Sequence, residues 1–351
     1  MNRSPELAGN LLDLWVRNGQ DRQTIGIPIG PDTSLVIAEL VLSSVDEEFS
    51  SLGGTGNGFR RVDDYEFGFA SRSNAEENLA LLQQALAKHE LALNPRKTTI
   101  KELPVPLEEP WATELRATAI SESKRGQARG IVRLFDRAFS HSKLNPDVHV
   151  LNYAIGIIGR VEIHPESWPI YQDLLLQCAM VEPGTLRFVL DELVKYSGKG
   201  FESDTESISE VLNHQIIRYA PLGHSSEVSW AVWGLMEFGL QVEPAATKQL
   251  SNMEDPVVAL LALDCNSRGL ISASLDCSAW QSELGDDALY SEQWLLSYEA
   301  TIKEWLPAST DPPSIERDEN FTFLKELGVS FYDPNKTIRK PSIPEPDSSS
   351  V

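Results

Sequence analysis

A series of amphipathic helical segments fills the chain from about Trp111 onward and limits what it can fold into. Short turns that hold proline, glycine or asparagine separate these segments, which recur at a loose spacing of about 40 residues. Each such helix must bury its apolar face, so consecutive segments are expected to pack in pairs. A HEAT-like helical array and a non-repetitive bundle both satisfy this pattern. The segments are VHVLNYAIGIIGRV, IYQDLLLQCAM, TLRFVLDELVKY, SEVSWAVWGLMEF, VVALLALDC and WLLSYEATIKEWL.

The charge is distributed unevenly along the 351 residues, which are long enough for two domains. Residues 1–133 contain 15 Lys+Arg against 19 Asp+Glu, whereas residues 134–351 contain 15 against 33. The second region repels a phosphate backbone, and the nearly neutral first region has room for a local basic track. This asymmetry predicts two units with different tasks.

The sequence shows neither a secretory signal nor a membrane span. The opening MNRSPELAGNLLDLW has an aspartate inside its apolar part, which is untypical of a signal peptide. No stretch reaches the ~18 to 20 apolar residues that a membrane span requires. Three cysteines, an odd number without metal-ligand spacing, predict buried reduced thiols in a cytoplasmic protein. They are Cys178, Cys265 and Cys277.

The first 108 residues mix helix and strand patterns. A helix is predicted over residues 5–17, and a second, mostly buried helix is predicted in LVIAELVLSSVDEEF after the capping pair Thr33 and Ser34. A capping box at residues 73–76 predicts the start of a third helix. Strands are predicted within residues 59–70 and in KTTIKELP at 97–104.

Two adjacent aspartates stand between aromatic and β-branched residues in GFRRVDDYEFGF. The pattern predicts a β-hairpin whose tight turn contains Asp63 and Asp64, because aspartate tolerates unusual turn angles. With 52 acidic residues in the chain, a solvated acidic turn is one interpretation and half of a metal site is the other. Arg60 and Arg61 either contact a nucleic-acid backbone or balance Asp63 and Glu66, and the second role is favoured.

Three motifs follow one another in the first unit, namely GIPIGPDTS, RVDDYEF and LNPRKT. In this order they resemble the later palm motifs of reverse transcriptases. The GPDTS form and the helical C-terminal region resemble the bacterial branch linked to defence against phages, the abortive-infection type. Arg61 departs from the family pattern, which has an aromatic residue there. The matching residues are Gly26, Pro28, Gly30, Ser34, Val62, Asp63, Asp64, Asn94 and Lys97.

The resemblance implies an RNA-directed DNA polymerase that uses Mg²⁺ or Mn²⁺, with an RNA template and a DNA primer or product as partners. In this interpretation Asp63 and Asp64 are catalytic metal ligands, since hard cations prefer carboxylate oxygens. Lys97 neutralises charge on the departing pyrophosphate. The residues expected to bind the nucleotide or template are Gly26, Pro28, Gly30 and Ser34.

One catalytic element of the family has no counterpart in the sequence. The family's first catalytic aspartate lies on a strand before the helix predicted at 5–17, and Asp13 and Asp21 are poor substitutes on a helix and in a turn. We therefore expect a C-terminal part of a reverse transcriptase, from a truncated or split gene, that is inactive alone. The DNA just upstream should then encode a strand with this aspartate.

Together these patterns predict an α+β fold with three regions. Residues 1–108 form a partial reverse-transcriptase palm of hairpin, helix and strand, and residues 109–333 form a thumb-like and helical-array region. The Pro- and Ser-rich residues 334–351 form a disordered tail. The alternative function is an acidic helical scaffold that binds a protein partner or another copy of itself, with no membrane involved.

Overall fold

The computed structural model describes residues 7–19, 26–27, 30–106, 108–121, 123–308 and 312–335. The chain divides into two compact units, Met1–Leu107 and Glu108–Val351. The described residues are mostly helical and contain one two-stranded antiparallel sheet, which agrees with the broad α+β class. Every helix among them is too short or too polar to cross a bilayer. The tail predicted at 334–351 lies outside the described residues after Asn335.

The first unit is built from helices and one hairpin around a small core. Its core combines α2, α3 and the hairpin through Val45, Phe49, Leu82, Ala85 and Leu86, with Tyr65 and Phe67 packed against them. The elements are α1 (Ala8–Asn18), α2 (Asp32–Ser51), β1 (Asn57–Arg61), β2 (Asp64–Gly68) and α3 (Arg72–Lys88).

The predicted starts of the first three helices need correction. The first described helix begins at Ala8, and residues 4–6 lie outside the described part. Helix α2 begins at Asp32, before the proposed capping pair, and its N-cap Pro31 makes no side-chain cap. Helix α3 is capped by Ser71, whose Oγ accepts a hydrogen bond from Asn74 N at 3.2 Å. Ser71 is extended and can therefore cap the helix two residues earlier than predicted.

Helix α2 is less buried than its composition suggests. Leu35, Val36 and Leu40 are each more than half exposed. The small core includes α2 only through Val45 and Phe49, which lie in its C-terminal half. The expectation of a mostly buried helix was therefore wrong for the first half of α2.

The strand predicted at residues 97–104 is absent from the structure. The described sheet contains only β1 and β2, and a strand requires a neighbour to pair its backbone groups. The chain instead makes a turn in which the amides of Lys97 and Thr98 donate to the carbonyl oxygen of Asn94. Pro104 also lacks an N–H for a sheet ladder.

The second unit contains the remaining helices, which stack as pairs. Helices α5, α7, α9 and α11 contact one another in series, and so do α6, α8, α10, α12 and α14. The first series begins at residues 124, 168, 205 and 244, roughly 40 residues apart. Assignment to the HEAT-like class stays a prediction. The helices are α4 (Pro110–Arg116), α5 (Lys124–Leu144), α6 (Val150–Ile158), α7 (Trp168–Val181), α8 (Leu186–Ser197), α9 (Thr205–Tyr219), α10 (Ser225–Glu237), α11 (Pro244–Leu250), α12 (Pro256–Ser267), α13 (Ser278–Ser282), α14 (Trp294–Ile302), α15 (Ser314–Arg317) and α16 (Glu319–Glu326).

Buried amide side chains connect successive helix pairs. Gln127 on α5 donates to the carbonyl oxygen of Glu162 and accepts from the amide of His164, both at 2.8 Å. Asn213 on α9 does the same with Gln241 and Glu243, at 3.1 and 2.8 Å. Gln172 on α7 accepts from the amide of Asp204. In each case a buried amide satisfies backbone groups that precede the next pair.

The last described residues cover the end of the stack. Tyr332 donates its hydroxyl proton to Asp264 at 2.6 Å, and Arg268 donates to the carbonyl oxygen of Pro334 at 2.6 Å. The amide of Phe331 donates to Glu299. Asp264 and Glu299 are both buried, so these bonds are made in the interior. We call residues 329–334 the end segment.

All three cysteines are free thiols, as expected, but the expectation that they are buried holds for two of them. Cys178 and Cys265 are buried, and Cys277 is half-buried. Burial raises the pKa of the Cys265 thiol to about 12 and also raises that of Cys277. These groups are therefore weak nucleophiles at neutral pH.

Replacing Gln127 by alanine should lower the free energy of unfolding of the second unit by about 1 to 3 kcal/mol. The substitution removes the two hydrogen bonds that the buried side chain makes with the backbone before the next helix pair, and each contributes about 0.5 to 1.5 kcal/mol. Urea denaturation followed by circular dichroism measures the change. Gln281→Ala, at an exposed site, is the control and should stay within about 0.5 kcal/mol of the parent. Equal effects of the two substitutions would contradict the role given to Gln127.

Candidate functional site

The two aspartates lie at a two-residue hairpin turn, one residue away from the predicted position. Arg61 pairs with Asp64 in the strand register, so Val62 and Asp63 form the turn and Asp64 begins β2. Val62 has a φ of +56°, whereas Asp63 is not among the positive-φ residues. A positive φ at the first central residue is typical of a type II′ turn, which usually has glycine there.

Val62 places a β-branched side chain in the left-handed region of the backbone map. Such a conformation costs about 1 to 3 kcal/mol and persists only where the surroundings enforce it. Nη1 of Arg60 donates to the carbonyl oxygen of Val62 at 2.8 Å. The same guanidinium group makes two bonds of 2.7 Å to Glu39 and one of 2.9 Å to Asp46, both on α2. Arg60 thus fixes the strained turn against a helix.

The ion pairs of Arg60 differ from those expected from the sequence. Arg60 was expected to balance Asp63 and Glu66, but its nearly buried side chain binds Glu39 and Asp46. The hydrogen bonds that Arg60 donates to Glu39 and to Asp46, in that order of effect, raise the pKa of Arg60, and Arg60 lowers the pKa of Glu39. Asp63 and Asp64 are both exposed, and no cation pairs with them in the part of the chain that is described. Their carboxylates are therefore available to a ligand.

Tyr65 adds a further bond between the hairpin and α2. Its hydroxyl donates to Asp46 at 3.0 Å, and Arg60 lies 6.0 Å above its ring. Burial, followed by the bond to Asp46, raises the pKa of the Tyr65 hydroxyl. The sequence signal for this network was the seven-residue spacing of Glu39 and Asp46, which puts both acids on one helix face. Arg60 and Tyr65 are cross-strand partners.

An open cleft of about 2070 Å³ in the first unit is lined by several of the predicted residues. Asp63, Asp64, Lys97 and Asn94 line it, and so does Gly26. Gly26 has a φ of +114°, a conformation that L-residues rarely adopt. Lys97 is exposed and projects from the turn that Asn94 stabilises. The three sequence motifs therefore contribute to one cleft.

Other residues predicted to bind a nucleotide lie elsewhere or cannot be placed. Ser34 is buried in the first turn of α2 and does not line the cleft. Gly30 has a φ of +119° and is also absent from the lining. Pro28 lies outside the described residues.

No protein-family model, no curated protein and no solved structure matches the chain. The resemblance to reverse transcriptases is carried by the three sequence motifs alone.

The carboxylates fit part of a divalent-metal site. Asp63 and Asp64 offer hard oxygen ligands on a fixed turn, as Mg²⁺ prefers. The described residues bring no group of three or more His, Cys, Asp or Glu together at metal-binding distance. Asp13 lines the same cleft but pairs with Arg17 at 2.8 Å, and Asp21 lies outside the described part. Two ions would thus require ligands in addition to these two aspartates.

Val62→Gly should stabilise the hairpin by about 1 kcal/mol, because glycine relieves the strain of the positive φ at a smaller entropic cost. Hydrogen exchange of the β1 and β2 amides measures the change as increased protection. Val62→Ala removes the side chain but keeps the strained backbone, so it should give no such increase. Weaker protection in Val62→Gly than in the parent would show that the turn is not strained.

Arg60→Gln should raise the pKa of Glu39 toward its ordinary value of 4.5, since the guanidinium group holds it lower. A lowered pKa in the folded state stabilises the protein above pH 4.5, and this contribution disappears as the pH falls through the lowered value. NMR titration of the Glu39 carboxyl group measures the shift. Arg61→Gln, at the exposed neighbouring site, should leave the Glu39 titration unchanged. Identical Glu39 titrations in Arg60→Gln and the parent would contradict the pairing.

Proposed function

We propose that this chain contributes the metal-binding hairpin of an RNA-directed DNA polymerase of the reverse-transcriptase type. The observation that supports the proposal is the pair of exposed carboxylates on a strained turn, with which no cation among the described residues pairs. Arg60 holds that turn, and the turn lines the same cleft as Lys97 and Gly26. An acidic turn with only a solvation role has no need of a strained valine and a nearly buried arginine.

Each residue of the cleft has a defined task in this proposal. Asp63 and Asp64 present oxygen ligands in the cleft, and Arg60 keeps them there by fixing Val62. A divalent ion held by these two carboxylates would supply activation of a primer hydroxyl and charge stabilisation of the leaving phosphates. Lys97 neutralises part of the phosphate charge, as a compact cation can. The backbone at Gly26 permits close approach of a nucleotide, because no side chain intervenes.

Two carboxylates are too few for two ions, so the proposal requires a further acidic group. Mg²⁺ takes six oxygen ligands, some of which are water and substrate phosphates, but polymerase-type chemistry needs carboxylates on both ions. We infer that another segment or another polypeptide supplies this group. The described residues alone are therefore expected to bind a divalent ion without nucleotide transfer.

Titration with Mn²⁺ tests the metal site directly. Paramagnetic broadening should appear first at the NMR signals of the Val62–Asp63 turn and should disappear in Asp63→Asn/Asp64→Asn. Glu66→Gln removes an exposed acid from the same hairpin and should retain the broadening. Broadening that is equally lost in Glu66→Gln, or that persists in the double variant, would remove the basis of the proposal.

A primer-extension assay with Mg²⁺ or Mn²⁺ tests the chemistry. The chain alone should show no incorporation, since the described residues place no third acidic group close enough to Asp63 and Asp64 to share a metal ion. Incorporation that depends on Asp63 would support the proposed polymerase function and would contradict the expectation that the chain is inactive alone. Incorporation unaffected by Asp63→Asn would place the activity elsewhere.

A helical scaffold is the second candidate function. It is favoured by the stacked helix pairs of the second unit and by the excess of acidic residues after position 133, because such stacks offer long protein-binding surfaces. Self-association is measurable by sedimentation velocity. Concentration-dependent association that is retained in Asp63→Asn/Asp64→Asn would assign this function to the helical unit.

A further inference from the structure

Helix α5 (Lys124–Leu144) carries a row of arginines at four-residue spacing. Arg125, Arg129 and Arg133 are all exposed, and successive members are about 6 Å apart along the helix axis. None of the three has an ion-pair partner within the described residues. We call these residues the α5 arginine row.

The α5 arginine row lies on the side of the helix opposite the core. The buried residues Ile131, Leu134, Phe135 and Ala138 form the opposite face of the helix. Because a four-residue step advances by 40° beyond a full turn, Arg125 to Arg133 occupy an arc of only about 80°. The row is therefore a narrow outward-facing strip.

The neighbouring cations differ from the α5 arginine row because they have acidic partners. Arg137 and His141 continue the spacing but approach Glu114 on α4, at 3.6 and 2.9 Å. Lys124 pairs with Glu166 at 3.1 Å. Among the described residues of α5, the exposed Asp136 and Lys143 also carry charges, and these two charges offset each other. Three positive charges thus remain without protein partners in the described part.

The charge of the row contrasts with that of the sequence that follows. From residue 134 onward the chain has 15 Lys+Arg against 33 Asp+Glu. A polyanion is repelled by most of that region and attracted to α5. The α5 arginine row lies within the first 133 residues, whose nearly neutral charge is compatible with a local basic segment.

We propose that the α5 arginine row binds the phosphate backbone of a nucleic-acid strand. All three cations are arginines, whose planar guanidinium groups match phosphate oxygens with two hydrogen bonds each. The row holds no exposed aromatic side chain for base stacking, so the contact is independent of base sequence. RNA and DNA share this backbone chemistry.

A membrane surface fits the row less well. A helix that lies on a membrane inserts an apolar face beside its basic residues. The apolar face of α5 is already buried in the core of the second unit. An acidic protein surface, including that of a second copy, remains as a distinct outcome of the test.

The inference stands independently of the proposed polymerase chemistry. It uses only residues of the second unit, whereas the metal proposal uses Asp63 and Asp64 in the first. The Asp63→Asn/Asp64→Asn variant should therefore bind nucleic acid as well as the parent does. Loss of metal binding and loss of nucleic-acid binding are thus separately observable.

Fluorescence anisotropy with labelled single-stranded RNA, single-stranded DNA and an RNA–DNA hybrid tests the inference on the full chain. Arg125→Gln/Arg129→Gln/Arg133→Gln should bind at least about tenfold more weakly at low salt, since three phosphate contacts are lost. The slope of log affinity against log salt should become less steep by about 2 to 3. Comparison of the three probes identifies the preferred strand type.

The control removes the same charge from other helices. Arg187→Gln/Arg218→Gln/Lys248→Gln changes exposed cations on α8, α9 and α11 and should keep the affinity within about twofold. Circular dichroism melting verifies that both triple variants remain folded. Equal losses in the two variants, or parent-like binding by the α5 variant, would overturn the proposal. So would loss of self-association by the α5 variant without loss of nucleic-acid binding, which would assign the row to a second copy.

Discussion

A buried amide that bonds to the backbone of the following loop is the constraint on which the helical unit depends. Gln127 both donates to and accepts from residues 162–164, and Asn213 repeats this arrangement two pairs later. Hydrophobic packing alone permits a helix to rotate, whereas a two-way hydrogen bond requires one rotation. Gln127 thereby faces the core while Arg125 and Arg129 face outward. The outward position of the α5 arginine row therefore follows from the hydrogen bonds of Gln127, which lies on the opposite side of the same helix.

Arg60 has a comparable function in the first unit, but there it acts through charge. Its guanidinium group binds two carboxylates of α2 and the carbonyl oxygen of Val62. Glu39 and Asp46 take up its charge, and no cation among the described residues pairs with Asp63 or Asp64. An arginine paired with the side chains of these two aspartates would have neutralised them. Two acids, Glu39 and Asp46, therefore bind Arg60, while the other two, Asp63 and Asp64, keep their negative charge in the cleft. This division is the electrostatic basis of the candidate site.

The sequence predicted the features that local pattern determines. The hairpin around the aspartates and the paired helices after Trp111 follow from alternation, helical periodicity and turn residues. The predictions that failed depended on partners. The strand at 97–104 needed a neighbouring strand, and the burial of Leu35 and Val36 needed an element that covers them. For Arg60, the sequence did not show which of four acids it binds, namely Glu39, Asp46, Asp63 or Glu66. Asn94 was identified by its motif, but its role as the acceptor of a turn was visible only in three dimensions.

The end segment has a consequence for the surface that the helix stack presents to a second molecule. A stack of helix pairs has an apolar surface at each end unless some other part of the chain covers it. Residues 329–334 cover one such surface, held by Tyr332 on Asp264 and by Phe331 on Glu299. Molecules whose open ends matched would add to one another head to tail and grow into fibres. A short peptide fastened to two interior carboxylates thus leaves less apolar surface at that end for a second molecule to add to.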